Sequence, residues 1–192
     1  METETYEERL KYLPDKGRHV VANYDDDCVI VYHVVNEETA DYATQENMLG
    51  ELPLDGAWFT PSFLLTVQDW HESHRIIAVY LTRIGFDSIL KKAVPADYDP
   101  TIYADHDAWH RALNVSWVRL RWRHDYDFDN QPLEQQAIYI GLLGKSGLHY
   151  SQGGWVDHIE DVTEFAIKGL LPCERLYPIQ DPTIAQRLGV DS

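Results

Sequence analysis

Residues 117–124 read Trp-Val-Arg-Leu-Arg-Trp-Arg-His (WVRLRWRH), and their strict alternation decides the fold. Val118, Leu120 and Trp122 fall on one side of an extended chain and Arg119, Arg121 and Arg123 on the other, the period-two pattern of a half-buried strand. Working outward, QQAIYIGLL (135–143) is the next strand, and a last one lies near WVDHI (155–159), followed by a helix from Asp161 in DVTEFAIKGL. On the N-terminal side HDAWHRAL (106–113) has helical spacing. RIIAVYLT (75–82) is a near-continuous apolar run and reads as a buried strand, with a helix after it in GFDSILKKA. HVVANY (19–24) and CVIVYHVV (28–35) are β-branched runs that flank Asp25-Asp26-Asp27, a short hairpin connection or bulged turn. Asn36 is a good N-cap and Gly50 a good stop, which predicts a helix over 37–49. Thr60-Pro61 repeats the start signal and predicts a helix running to about Trp70. The class is α+β: a mixed, mainly antiparallel sheet with several packed helices.

The chain of 192 residues, 44% hydrophobic and 25% charged, has the composition of a globular domain. It divides into an acidic N-terminal segment (1–17), a single α+β domain (18–170) and an extended C-terminal arm (171–192) punctuated by Pro172, Pro178 and Pro182. A formal net charge of -16 argues against duplex DNA or an anionic membrane surface as partner, because both are held by basic side chains. The charge is uneven: residues 1–55 hold fourteen acids against four bases, whereas residues 135–156 hold no acid and one base, Lys145. No apolar run approaches the roughly 18 residues of a membrane span, and the start, METETYEERLKYL, is acidic where a signal peptide is basic. A cytoplasmic location is the expectation. Cys28 and Cys173 are far apart and form no CxxC, so neither a zinc knuckle nor a disulfide scaffold follows.

Three constellations carry candidate chemistry. His106 and His110 sit one helical turn apart and together could grip one zinc ion, with His71 and His74 in reserve and Asp107 at the place of a metalloprotease base; the alternative is an amphipathic helix with Trp109 and Leu113 inward. Arg119, Arg121 and Arg123 stand about 7 Å apart on one strand face and could bind a pyrophosphate or a nucleic-acid backbone. Alternatively they pair with Asp125, Asp127, Asp129 and the acidic N-terminus. Third, Tyr32-His33 ends a buried strand and is followed by a capped helix and then by Trp58-Phe59-Thr60-Pro61-Ser62-Phe63. An imidazole there could meet a ribose hydroxyl and the aromatics a flat heterocycle, with Glu134 at the start of a later strand able to reach the same cleft. The alternative for His33 is a satisfied, half-buried core residue. Gly144-Lys145-Ser146-Gly147 lacks the glycine spacing of a phosphate loop.

Ala22, Tyr24-Asp25-Asp26-Asp27, Val31-Tyr32, Pro61-Ser62-Phe63, Ala78, Thr82-Arg83 with Gly85-Phe86, Val118-Arg119, Ile140-Gly141-Leu142 with Gly144, and Asp161-Val162-Thr163 occur in an order that resembles the domain of unknown function 4291 (DUF4291) family over about 18–168. The chain departs from that pattern at His33, where glutamine is common, and at Trp58-Phe59-Thr60, where Trp-Ile-Lys is common. More distantly, strand, Tyr-His, capped helix, glycine and an aromatic-hydroxyl step look like the opening of ADP-ribosyltransferases, which bind NAD on small mixed domains. That resemblance implies His33 as the ribose-binding residue, Thr60 and Ser62 as the hydroxyls of the second motif, and Glu134 as the catalytic carboxylate. It further implies Trp58 or Phe59 stacked on nicotinamide and Arg119, Arg121 or Arg123 on the pyrophosphate.

The leading expectation is therefore an NAD-binding, ADP-ribosyltransferase-like enzyme with NAD as cofactor and an unidentified macromolecular acceptor. A non-catalytic nucleotide- or protein-binding module is the second, and a zinc hydrolase on His106 and His110 the third.

Overall fold

The computed structural model describes residues 1–51 and 56–191. Two sheets pack on one core. The first has three antiparallel strands in the order Val156–Asp161, Arg75–Thr82, Cys28–Val35. The second is built around the long strand Pro132–Leu142, which pairs antiparallel with Val118–Tyr126 along one edge. Its other edge is shared end to end by Lys16–Arg18, parallel, and Ala57–Phe59, antiparallel. Ala93–Pro95 closes the far side, parallel to Val118–Tyr126. An isolated bridge between Tyr32 and Thr60 joins the sheets at a corner.

The two strand types foreseen in the sequence have different physical causes. Cys28–Val35 and Arg75–Thr82 are nearly continuous in apolar residues because both their faces are covered. Val29, Val31, Ile77, Val79 and Leu81 face the main core with Phe59, Leu120, Ile138, Ile140 and Phe86. Ile30, Tyr32, Ile76 and Ala78 face a second cluster under the helix Phe63–Asp69, with Phe63, Leu64 and Val162. Val118–Tyr126 alternates because only its Val118 and Leu120 side is core. Its arginine side stays outside. Eight helices occur among the described residues, and the sheets are mixed and mainly antiparallel.

Several boundaries move for identifiable reasons. The helix expected over 37–49 is Glu37–Glu46, and it stops at Asn47 rather than Gly50, because Asn47 itself takes the left-handed conformation (φ 53°). The helix after Pro61 is Phe63–Asp69, capped by Ser62 and not by Thr60, whose backbone is committed to the bridge with Tyr32. The expected strand 19–24 shortens to Val21–Ala22, whose partner is Arg175–Leu176. Residues 144–151, without an expected element, form the helix Gly144–Ser151.

Both termini lie on the domain. Residues 6–10 are a helix closed by a capping box between Thr5 and Glu8. In the stretch expected as an extended arm, Leu171–Pro172 pairs with Thr3–Glu4, and Pro182–Leu188 is a helix with proline in its first turn.

Candidate functional site

The open side of the second sheet gathers the arginine stripe and two of the aromatic groups. Gly141, on Pro132–Leu142, has Trp58 as its cross-strand neighbour. With no side chain at Gly141 the indole lies directly against the backbone; a Cβ there would come within 2.6 Å of the Trp58 ring. Two residues back on the same strand, Tyr139 stacks on Trp58 with ring centroids 5.4 Å apart and planes 19° apart. The guanidinium carbon of Arg121 is 5.2 Å from the centre of the Trp58 ring, and that of Arg123 is 5.2 Å from Tyr139. Strand alternation and register thus build a ladder of two rings and two cations.

The three arginines have different freedom. Arg123 is held by Asp69 through two parallel hydrogen bonds of 2.5 and 2.9 Å. Arg119 is turned away from the ladder. It donates to the carbonyl oxygens of Leu113, Ser116 and Val118, which satisfies the end of the helix His106–Val115. Arg121 is the most exposed and loosely paired of the three: its Nε is 3.6 Å from Asp97, and both side chains are more than half exposed. An exposed pair of that kind holds weakly. The expected pairing of the stripe with Asp125, Asp127 and Asp129 is corrected to Asp69 and Asp97.

The residues expected around a ribose do not share a hollow with this ladder. His33 is buried, with its Nε2 2.7 Å from the Tyr150 hydroxyl and its ring in a three-ring cluster with Phe59 and Tyr150. Burial pushes its pKa down to about 4, against a hydrogen bond with the Trp58 backbone that favours the proton, so the imidazole is neutral at physiological pH. Phe59 is wholly buried. Thr60 is also buried, and its hydroxyl oxygen accepts from the Ser62 N–H. Glu134 is exposed beside Lys16. Five residues of strand separate it from Tyr139, about 17 Å at 3.3–3.4 Å per residue.

Ser62 belongs to a buried polar cluster that the sequence pattern does not disclose. Its hydroxyl donates to Asp125 (2.9 and 3.1 Å) and accepts from the Leu65 N–H. Arg9 Nη1 lies 2.6 Å from Glu174 and Nη2 3.8 Å from Asp125, all three side chains nearly inaccessible. Glu174 also accepts the Phe63 N–H at the start of the helix Phe63–Asp69. Desolvation outweighs Arg9 and raises Glu174 to about 7, and it raises Asp125 as well. Burial alone would lower Arg9, but Glu174 and Asp125 reverse that direction. These groups come from the N-terminal helix, a strand end and the tail, so no local spacing announces them.

His106 stacks on Tyr98 (3.9 Å between centroids) and His110 on Trp109 (4.8 Å). Trp109 itself donates to the Pro95 carbonyl oxygen, anchoring the helix. His74 Nδ1 is 3.0 Å from Ser73 Oγ. Among the described residues no group of three or more His, Cys, Asp or Glu side chains is arranged to hold a metal ion. Likewise among those residues, no helix is long and apolar enough to cross a membrane.

A family model described as Domain of unknown function (DUF4291) matches residues 19–172, which takes in the three-stranded sheet and every strand of the second sheet except Lys16–Arg18. No curated protein matches the chain.

Proposed function

The chain belongs to the DUF4291 family, and from that premise we propose that it is a nucleotide-binding module whose ligand lies on the ladder of Trp58, Tyr139, Arg121 and Arg123. The supporting observation is the pairing of stacked rings with guanidinium groups on one sheet face, where Arg121 is only loosely engaged by Asp97. A planar base gains from an aromatic platform and a phosphate from a planar, permanently charged guanidinium. Asp69 holds Arg123 in place, while Arg121 can leave Asp97 for a phosphate oxygen at little loss.

Titration calorimetry with AMP, ADP and NAD tests the proposal. Trp58→Ala and Arg121→Ala should each weaken binding about tenfold, which corresponds to about 1.4 kcal/mol. Absence of binding by all three ligands, or unchanged affinity in both variants, overturns it. NAD is included because the likeness to ADP-ribosyltransferases implies transfer chemistry, the narrower reading. Glu134 stands about 17 Å along the strand from Tyr139, so that reading requires a dinucleotide extended toward it. Release of nicotinamide that falls at least a hundredfold in Glu134→Gln supports transfer; turnover untouched by that change removes Glu134 from any catalytic role.

A further inference from the structure

The geometry points to a second binding site, independent of the sheet face: a cleft of about 530 Å³ lined by Lys92, Trp117, Lys145, Ser146, His149 and Trp155 that takes a phosphate carried on a planar ring, as in a nucleoside monophosphate. The volume is in the range of small-molecule sites. Its charge is the reverse of the molecule's. Residues 135–156 contain no acid, and no ion pair among the described residues engages Lys92 or Lys145.

Two indoles supply the surface for the ring. Trp117 is 52% exposed, and one side of it is seated on Gly144, where a Cβ would come within 2.5 Å of the indole. Gly144 also takes φ +44°, which lets the chain turn from the sheet into the helix Gly144–Ser151 at this point. Trp155 has the Lys92 ammonium 5.7 Å from its ring centre and meets His149 edge-on at 4.5 Å. The His149 ring lies against the backbone of Gly154, where a Cβ would collide with its Nε2. The two indoles are thus packed beside the lysines around one opening. Leu143, the residue before the helix, provides no side-chain cap, so the first-turn N–H groups beside Lys145 and Ser146 add to the favourable field for an anion.

Glycine-Lys-Ser here does not work as a phosphate loop, since the glycine spacing is absent. What the segment contributes is Lys145 and Ser146 to a cleft that Lys92 and Trp117 also line. A base stacked on Trp117 would leave its phosphate among the two ammonium groups.

The side-chain indole resonances of ¹⁵N-labelled protein report on this site and on the sheet face separately, because each of the six tryptophans gives its own signal. AMP should shift Trp117 and Trp155, and bind about tenfold more tightly than adenosine or inorganic phosphate alone. Lys145→Gln and Trp117→Ala, both exposed positions, should each lower AMP affinity about tenfold with the rest of the spectrum intact. Trp117 and Trp155 signals unmoved by AMP, affinity for AMP no better than for adenosine, or unchanged affinity in Lys145→Gln would overturn the assignment. A ligand that moved Trp58 alone would support the sheet face and overturn this cleft.

Discussion

Two buried groups act in opposite directions on the stability of this protein between pH 4.5 and 6.5, and single substitutions should unmask each. Glu174 rises from 4.5 to about 7 on folding, so in this window the native state holds a proton that the unfolded chain has released. Its contribution is fully present below pH 4.5 and is lost as pH rises through 7. His33 falls from 6.5 to about 4, so the unfolded chain takes up a proton that the native state refuses. Its contribution is present above pH 6.5 and is lost as pH falls toward 4. Each displacement is worth about 3 kcal/mol, with opposite slopes. In Glu174→Gln the acceptor for Phe63 N–H remains, and stability relative to the wild type should climb by about 3 kcal/mol from pH 4.5 to 7. In His33→Gln the relative stability should fall by a similar amount from pH 4 to 6.5. Urea unfolding at half-unit steps from pH 4 to 8 measures both differences, and groups common to all three proteins cancel. Difference curves that are flat for both variants would refute the placement of these groups as neutral, desolvated side chains.

Other outcomes follow from the same contacts. Arg9→Ala leaves Glu174 and Asp125 buried without their cation and should destabilise by about 3–5 kcal/mol at pH 8, seen as a lower urea midpoint, and by less at pH 5 where Glu174 is protonated. Tyr150→Phe removes the hydroxyl 2.7 Å from His33 Nε2 and leaves a buried ring nitrogen unpaired; the same assay should give about 1–3 kcal/mol. Gly141→Ala forces Trp58 off the sheet, which should red-shift its indole fluorescence and weaken any nucleotide bound on Tyr139 and Arg121.

The sequence was readable where burial is decided along one strand. WVRLRWRH alternates, and its arginines do share one face; CVIVYHVV and RIIAVYLT are near-continuous apolar runs, and both are covered on two sides. It was not readable where a side chain's neighbour comes from a distant element. His33 sits at the end of an apolar strand and so looks poised to enter a cleft, but Tyr150 from an unexpected helix occupies that direction. The partner of Arg123 is Asp69, 54 positions away, not the acids that immediately follow it. Thr60-Pro61 carries a sound start signal, yet a bridge to Tyr32 claims the Thr60 backbone and passes the cap to Ser62. Local rules fix element type, and tertiary pairing then decides which of two adjacent residues performs the role.

That same pairing bears on the size of ligand the molecule can hold. Arg9 is enclosed with two carboxylates, Arg119 closes a helix end, and Arg18, Arg75, Arg123 and Arg175 each have an acidic partner. Of the cations without a close acidic partner among the described residues, Arg121 lies on the sheet face and Lys92 and Lys145 at the cleft, while Lys11, Lys16, Lys91 and Arg111 are exposed and line neither place. A polynucleotide needs a run of cations along its backbone, since each phosphate neutralised adds its share of released counterions. Beyond these two places such a strand meets a surface of net charge -16. One or two phosphates on a single base fit within the local field, where the stacking surface contributes as much as the charge. Binding at either place should accordingly depend only weakly on salt, with a slope in log affinity against log salt near -1, whereas engagement of a strand would make it several-fold steeper.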